Sequence, residues 1–117
     1  MPYMMFIVEP VGQRRSAGET EGHSRYARML DYAAELKARG VLQDAQSLRS
    51  ERDGVRVQVR SGKTQRFDGP FAEAKEMVGG YFLLDVETKD DAIAIAQQCP
   101  AAEWATVEVR EFGPCFT

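Results

Sequence analysis

Hydrophobic and polar residues follow two different periods along the first half of this chain, and these periods predict its elements. Tyr3–Val8 is apolar on both faces, which is typical of a central strand covered on two sides. Across Tyr26–Leu36 apolar residues recur at helical spacing, with charged residues on the other side. Gly40 then predicts the end of this helix, and Val41–Leu48 is interpreted as a second strand.

The polar segment between the first strand and this helix has no clear periodicity. We interpret Gly12–Glu21 as a loop, with Ser16 and Thr20 as the two candidates for the helix cap. Gly22 weakens an early first turn, because glycine loses more backbone entropy in a helix than other residues do.

The middle of the chain predicts a β-hairpin. Valines alternate with polar residues across Val55–Arg60, a period of two that indicates a strand with one buried face. Ser61 and Gly62 are typical of a two-residue hairpin turn, and Lys63–Phe67 is expected to return antiparallel.

The second half repeats the strand, helix, strand order. Tyr81–Leu84 is the most apolar strand candidate, and Thr88 is a candidate N-cap with Asp91 three residues later. Pro100 predicts the end of this second helix, and Ala105–Arg110 alternates as a last strand.

This order predicts an α+β fold over residues 1–117, taken as a single domain. Two strand–helix–strand units with the hairpin between them form a ferredoxin-like sandwich with one antiparallel sheet. Its helices cover one face of the sheet, so strands that are apolar on both sides need a cover for the other face. We predict that a second copy of the chain supplies that cover, sheet against sheet, in a homodimer.

Composition narrows the class of protein. The chain has 117 residues, of which 44% are hydrophobic and 28% charged, as in soluble globular proteins. The apolar stretches Pro2–Val8 and Val78–Leu84 are too short to span a bilayer, and no basic region precedes the first one as in a secretory signal. Cys99 and Cys115 are too few for a disulfide framework. We therefore predict a cytoplasmic protein without a membrane association.

Charge is distributed unevenly along the chain. Residues 49–67 contain six basic and two acidic residues, a net charge of +4, whereas residues 68–117 contain ten acidic and three basic residues, a net charge of −7. Because the basic residues alternate with valines, as on a solvated strand face, we predict no nucleic-acid partner. The sequence also contains no phosphate-binding loop, dinucleotide fingerprint or zinc motif, so we predict no cofactor and no metal.

A motif lies between the hairpin and the strand that follows it. Asp68–Glu76 reads Asp-Gly-Pro-Phe-Ala-Glu-Ala-Lys-Glu, and Met-Val-Gly-Gly-Tyr-Phe comes next. This stretch resembles the signature of the YCII-related family, in the branch that takes its name from the Asp-Gly-Pro-Phe motif. The first strand, the end of the first helix and the last strand also resemble that family.

The resemblance implies a ferredoxin-like fold that pairs into a dimeric α+β barrel, with a small pocket between sheet and helices. Enzyme-like members of the wider superfamily hold a His–Asp pair there, suited to proton transfer on a small, often aromatic molecule. In this chain His23 lies earlier than the family's histidine, near which Met29 stands instead. Gln98 and Cys99 precede Pro100 where the enzyme-like branch places its aspartate. Some members of the branch are encoded beside, or fused to, sigma factors, which implies a sigma factor as a possible partner.

The motif itself has a structural and a functional interpretation. Asp68, Gly69 and Pro70 shape a tight turn by themselves, and Phe71 is expected to anchor it in the core. The same loop is also a candidate ligand-binding site, with Asp68 or backbone N–H groups presented to the ligand.

Three further residues complete the candidate site. Glu76 directly precedes an apolar strand that can draw it inward, and with Asp68 it is a candidate for proton transfer. His23 is the third catalytic candidate, although its polar, glycine-flanked surroundings predict that it is exposed. Tyr26 is expected to pack at the core edge, from where its phenol can donate to a ligand.

Gly79 and Gly80 are expected to allow a bulge or a close approach of the backbone.

The favoured interpretation is therefore a small-molecule-binding protein whose reaction is unknown. Two alternatives stay open. One is a cofactor-free enzyme, lyase-like or oxygenase-like, that acts on a small aromatic or carbonyl compound. The other is a non-catalytic regulatory module of sigma-factor-type transcription control.

Overall fold

The computed structural model describes residues 2–116 and contains a four-stranded antiparallel sheet, two α-helices and a separate two-stranded sheet. The elements are β1 Tyr3–Pro10, α1 Gln13–Ala38, β2 Leu42–Ser47, β3 Val55–Arg60, β4 Lys63–Asp68, β5 Glu76–Leu84, α2 Lys89–Gln97 and β6 Thr106–Glu111. Short 3-10 turns lie at Glu51–Asp53 and Pro100–Glu103.

The main sheet has the strand order β2-β5-β1-β6, and all neighbouring strands in it are antiparallel. Strand β1 is therefore central, as its two apolar faces predict. The two strand–helix–strand units interlock, because β5 inserts between β1 and β2. This arrangement confirms the ferredoxin-like α+β fold.

One face of this sheet packs against both helices and forms the core. In β1 the inward residues, from Tyr3 through Met5 and Ile7, are buried, and they meet Tyr32 and Leu36 of α1. A buried aromatic pair joins helix and sheet, with Tyr32 edge-on to Phe82 at a centroid distance of 5.5 Å. The opposite face carries the half-buried residues Met4, Phe6, Val8, Tyr81 and Leu83, whereas both helices of the described residues pack on the first face.

The predicted loop before α1 is wrong, because the helix already begins at Gln13. Gly12 is the N-cap residue, and neither Ser16 nor Thr20 caps the helix. Gly18 interrupts it with φ 85° and ψ 169°, a backbone region that is open to glycine and nearly closed to other residues. Residues 13–17 and 19–38 are therefore two helical stretches joined at a kink. The first stretch is polar and has no apolar periodicity, so the sequence did not predict it as a helix. Its position depends on tertiary contacts of Arg14.

The other predicted helix boundaries are confirmed. At the end of α1, the Gly40 N–H donates to the Lys37 carbonyl and the Val41 N–H to the Leu36 carbonyl. The Thr88 hydroxyl accepts a hydrogen bond from the Asp91 N–H at the start of α2.

Strands β3 and β4 pair only with each other. The turn at Ser61 and Gly62, with φ of 52° and 75°, and the antiparallel return are as predicted. The predicted buried face is wrong, however, because Val55, Val57 and Val59 are 49%, 63% and 59% exposed. The alternation is real, but the hairpin projects beyond the main sheet, so nothing in the described protomer packs on its valines.

No helix in residues 2–116 is both long enough and apolar enough to cross a membrane.

Candidate functional site

A cavity of about 430 Å³ lies between α1 and the covered face of the sheet. Helix α1 forms one wall from its first turn to Ala33, and the ends of β1, β2 and β5 form the other. Its apolar lining includes Ile7, Met29, Leu30, Ala33, Ala45, Phe82, Ala101 and Trp104, and its polar lining includes Glu9, Gln13, Arg14, Arg25, Tyr26, Gln46 and Ser47.

Glu9 is the one carboxylate that lines this cavity among the described residues, and it is only 7% exposed. It continues the inward positions of β1 after Ile7, so the strand itself directs it to the covered face. A buried carboxylate requires compensating partners. Arg14 provides one, because its Nε donates to Glu9 Oε1 at 2.5 Å.

Arg14 also connects three elements at this end of the cavity. One terminal nitrogen donates to the Leu48 carbonyl after β2 at 2.8 Å, and the other donates to the Gly79 carbonyl of β5 at 3.2 Å. Its neighbour Gln13 donates from Nε2 to the Trp104 carbonyl at 2.6 Å. These bonds hold the first stretch of α1 over the end of the sheet.

The backbone beside this ion pair leaves room for it. The pairing register of β1 and β5 shifts between Ile7 and Val8, so that Gly79 is the extra residue of a bulge. A Cβ atom at Gly79 would lie 2.8 Å from the Glu9 carboxylate and from an Arg14 terminal nitrogen. The expectation that these glycines allow a bulge and a close approach is confirmed.

Trp104, which follows the Pro100–Glu103 turn, and Arg25 of α1 also line the cavity. The Trp104 ring lies under two guanidinium groups, those of Arg25 at 5.0 Å and Arg28 at 5.3 Å from the ring centroid. Arg28 also forms an ion pair with Glu103, and its hydrogen bond lowers the pKa of that carboxyl. This network holds Trp104 against α1.

Of the two candidate residues on α1, Tyr26 lines the cavity and His23 does not. Tyr26 lines the cavity and is 54% exposed, so it stands at an open side of the cavity rather than at the core edge. His23 lies three residues earlier on the same helix and is exposed, as its surroundings predict, but it is not among the lining residues.

The Asp-Gly-Pro-Phe stretch forms the base of the hairpin. The Gly69 N–H donates to the Gly54 carbonyl at 2.8 Å, and a cis peptide bond joins Gly69 to Pro70. The Phe71 N–H donates to Glu51 Oε2 at 2.7 Å, and the guanidinium of Arg56 lies 4.0 Å from the centroid of the Phe71 ring. Phe71 therefore packs against the hairpin base, and the expectation that it anchors the loop in the core is wrong.

Neither of the two predicted carboxylates reaches the cavity in one protomer. Asp68 is exposed at the end of β4 and accepts a hydrogen bond from Arg66 at 3.0 Å. Glu76 is exposed at the first position of β5, opposite Pro10, so it is not drawn inward. The structure does not bring Asp68, Glu76 and His23 together, and their roles in catalysis stay predictions.

The ion pair of Glu9 and Arg14 was missed by the sequence analysis. Glu9 follows directly after Tyr3–Val8, the stretch interpreted as the first strand, and occupies an inward position of that strand. Glu9 lies two residues after Ile7 and therefore on the same side of the strand, and this spacing was a usable signal for Glu9. No comparable signal marks Arg14, because its segment was interpreted as a loop.

Cys99 is buried in the core beside Met29, with 4.0 Å between the two sulfur atoms, and burial raises the pKa of its thiol. Cys115, by contrast, is exposed.

Comparisons with known proteins agree with this architecture. The family model of the YCII-related domain matches residues 1–114. The uncharacterized protein R00369 of Rhizobium meliloti (strain 1021) is 40% identical over 52 residues, which are 43% of this chain and 42% of that protein. The match thus spans less than half the length of this curated relative.

A solved structure has a similar fold. It is 5-chloro-2-hydroxyhydroquinone dehydrochlorinase from Burkholderia phenoliruptrix AC1100, in complex with 2,5-dihydroxybenzoquinone. The match covers 97% of this chain and 94% of that chain, with a TM-score of 0.56 and 16% sequence identity. At this identity the likeness shows the fold.

Proposed function

We propose, on the premise that the chain belongs to the YCII-related family, that its cavity binds a small aromatic molecule that hydrogen-bonds to Glu9 and Arg14. The observation that carries this proposal is a cavity with apolar walls that ends at an ion pair whose carboxylate is buried. Ligand sites in proteins commonly combine these two features, because apolar walls provide affinity and a few polar groups set orientation.

The cavity has the size and lining for such a ligand. Its volume of about 430 Å³ lies within the range of about 300–1,000 Å³ that is typical of small-molecule sites. Ile7, Met29 and Phe82 are apolar and lie on opposite walls, on the sheet and on α1. A flat apolar ring buries area on both sides in such a space.

The ion pair favours a ligand with a donor next to an acceptor. A guanidinium has five N–H groups, and three bonds to protein atoms account for three of those of Arg14. A ligand carbonyl or oxyanion can accept from the remaining two, while a ligand hydroxyl donates to the Glu9 carboxylate. A hydroxyl beside a carbonyl on one ring satisfies both groups, and the protonated form of 2,5-dihydroxybenzoquinone, the compound bound in the structural neighbour, has that pattern.

A cofactor-free acid–base enzyme is the second candidate. The observation that favours it is that the structural neighbour is an enzyme acting on a small aromatic compound. Glu9 would then take up the proton of the ligand hydroxyl, because it is the lining carboxylate. For Asp68, Glu76 or His23 to act there, each would have to reach a cavity that it does not line within one protomer.

Two expected partners remain proposals. The homodimer is supported by the open face of the main sheet, where Met4, Phe6, Val8, Tyr81 and Leu83 lie half-buried with no helix over them. A regulatory module that binds a sigma factor stays an alternative that rests on the family resemblance.

Calorimetric titration with 2,5-dihydroxybenzoquinone and with 2-hydroxybenzoate tests the cavity proposal. We expect Glu9→Gln to weaken binding by about tenfold, because a charged hydrogen bond is replaced by a neutral one. Ala33→Phe, which fills the cavity, should abolish binding. Glu35→Gln, on the exposed side of α1, is the matched control and should bind as the unmodified chain does.

Undiminished binding by both the Glu9 and the Ala33 variants would show that the ligand site lies elsewhere. The residues predicted from the sequence are tested by the same titration of three variants, Asp68→Asn, Glu76→Gln and His23→Gln. A loss of binding in any variant would show that the changed residue contributes to the ligand site.

A further inference from the structure

The cavity between α1 and the sheet carries a net positive charge, although the chain as a whole is acidic. Among the described residues, the charged side chains that line it are Glu9, Arg14 and Arg25, one negative and two positive, with a net formal charge of +1. The full chain has a net charge of −3 at pH 7. Because Arg14 is matched by the Glu9 carboxylate, the unbalanced charge is that of Arg25.

Arg25 has few protein partners for a side chain that is only 25% exposed. Its Nε donates to the Glu21 carboxylate at 3.2 Å, and a guanidinium has four further N–H groups. No described residue accepts a hydrogen bond from these four. Glu21 is itself 55% exposed, and an exposed ion pair between residues i and i+4 of a helix is weak. The charge of Arg25 is therefore only partly compensated within the protomer.

The ring of Trp104 holds this guanidinium at the cavity. The ring centroid lies 5.0 Å from Cζ of Arg25, and both residues line the cavity. A cation–π contact acts through the charge of the guanidinium and requires none of its N–H groups. The Trp104 carbonyl also accepts from Gln13 Nε2 at 2.6 Å, which connects this residue to the first turn of α1. The ring thus positions Arg25, while the terminal nitrogens keep their capacity to donate.

The cavity has room for more than the ring that the proposed function places beside Glu9 and Arg14. An apolar cavity of about 150 Å³ holds one benzene molecule. The cavity described above has a volume of about 430 Å³, so it can also accept a substituent of the ring. Arg25 favours an anionic substituent, because a cation that has lost part of its hydration requires a partner of opposite charge.

We propose, on the basis of the proposed function, that the ligand is an aromatic monocarboxylic acid, with its carboxylate bound by Arg25 and a ring hydroxyl and carbonyl bound by Glu9 and Arg14. A guanidinium binds a carboxylate through two parallel N–H···O bonds, and the terminal nitrogens of Arg25 have the N–H groups to form them. One carboxylate balances the net charge of the cavity. A phosphate ester, with a charge of about −1.5 to −2 at neutral pH, would exceed it.

Calorimetric titration with a matched pair of compounds tests this proposal. The acid 4-acetyl-3-hydroxybenzoate has a hydroxyl beside a carbonyl and a separate carboxylate, and its methyl ester lacks only the charge. We expect the acid to bind the unmodified chain about tenfold more tightly than the ester does, because it adds a charged hydrogen-bonded pair. Added NaCl should weaken the binding of the acid more than that of the ester.

Variants of Arg25 assign this preference to a residue. Arg25→Gln should remove the tenfold preference and leave the affinity for the ester unchanged, which also shows that the variant is folded. Arg25→Lys keeps the positive charge without the fork of the guanidinium, so it should keep part of the preference. Arg15→Gln is the matched control, because it removes an equal charge from an exposed position of α1 that does not line the cavity. It should bind both compounds as the unmodified chain does.

The outcomes separate this proposal from the one on which it rests. Equal affinities of the unmodified chain for acid and ester, with weaker binding of the ester by Glu9→Gln, would overturn the aromatic-acid proposal and leave the proposed function standing. An equal loss of affinity for both compounds in Arg25→Gln would mean that Arg25 acts through the position of Trp104, and it would also overturn the proposal. If neither compound binds, the aromatic-acid proposal fails, and titration with 2,5-dihydroxybenzoquinone decides whether the proposed function fails with it.

Discussion

At the scale of residues, the main feature of Glu9 is the free-energy cost of burying its carboxylate. A carboxylate that is 7% exposed loses most of its hydration, and Arg14, whose side chain is 40% exposed, compensates for that loss from the first turn of α1. Gly79 completes the arrangement because a side chain there would occupy the space of both charged groups. This charged pair at the end of the cavity is the arrangement on which the proposed ligand binding rests.

The pair predicts an asymmetric response to mutation. Arg14→Met leaves the Glu9 carboxylate buried without its partner, and we expect it to lower the free energy of unfolding by about 2–3 kcal/mol, at the low end for a buried pair because Arg14 is partly exposed. The double variant E9L/R14M removes both charges and should recover most of that loss. Urea unfolding measures both, and equal stabilities of Arg14→Met and the unmodified chain would contradict this account.

At the scale of elements, α1 is a helix with a kink rather than a loop followed by a helix. Its first stretch is polar and has no apolar stripe, so its position follows from the bonds of Gln13 and Arg14 to β1, β2, β5 and the backbone of Trp104. The kink at Gly18 lets this stretch reach the end of the sheet while Tyr32 and Leu36 stay in the core. The cavity depends on this bend, because residues on both sides of it line the wall.

Two glycines of α1 provide a matched pair of variants. Gly18→Ala places a side chain at φ 85° and should lower the free energy of unfolding by about 1–3 kcal/mol. Gly22→Ala lies in the regular helix, where an added Cβ meets no atom within 4 Å, and should raise stability by about 0.5–1 kcal/mol. Thermal and urea unfolding compare the two. A stabilising Gly18→Ala would mean that the kink is absent in solution.

At the scale of the whole molecule, one covered sheet face provides the core, and buried titratable groups lie in it, among them Tyr32 and Cys99. Burial raises the pKa of Tyr32, whose hydroxyl donates to the Ile95 carbonyl at 2.6 Å, and burial also raises the pKa of the Cys99 thiol. Both groups stay protonated in the folded chain at pH values where the unfolded chain begins to ionise, near 9.0 for cysteine and 10.0 for tyrosine.

The fold should therefore lose stability in alkali. Below pH 9.0 the contribution of both groups is fully present, and it is lost as the pH rises, because the unfolded chain releases protons that the folded chain retains. Each group contributes a slope of up to about 1.4 kcal/mol per pH unit. Urea unfolding from neutral to alkaline pH measures the slope. Cys99→Ala should reduce it, and Cys115→Ala, at the exposed cysteine, should not.

The sequence by itself determined the order of elements and the fold class, since both follow from local periodicity and from turn and cap residues. The apolar run of β1, the stop at Gly40, the cap at Thr88 and the turn at Ser61 and Gly62 all act within a few residues of themselves. The resemblance around Asp68–Glu76 likewise predicted the family, which the match over residues 1–114 shows.

Only the tertiary structure decided where the site lies. Glu9 and Arg14 are five residues apart, but the other contacts of Arg14, at Leu48 just after β2 and at Gly79 of β5, come from far along the chain. The same holds for the hairpin of β3 and β4, whose valines alternate as in a half-buried strand but are exposed in the protomer. Periodicity specifies which side of a strand is apolar, whereas the covering of that side depends on how distant elements, or a second copy, come together.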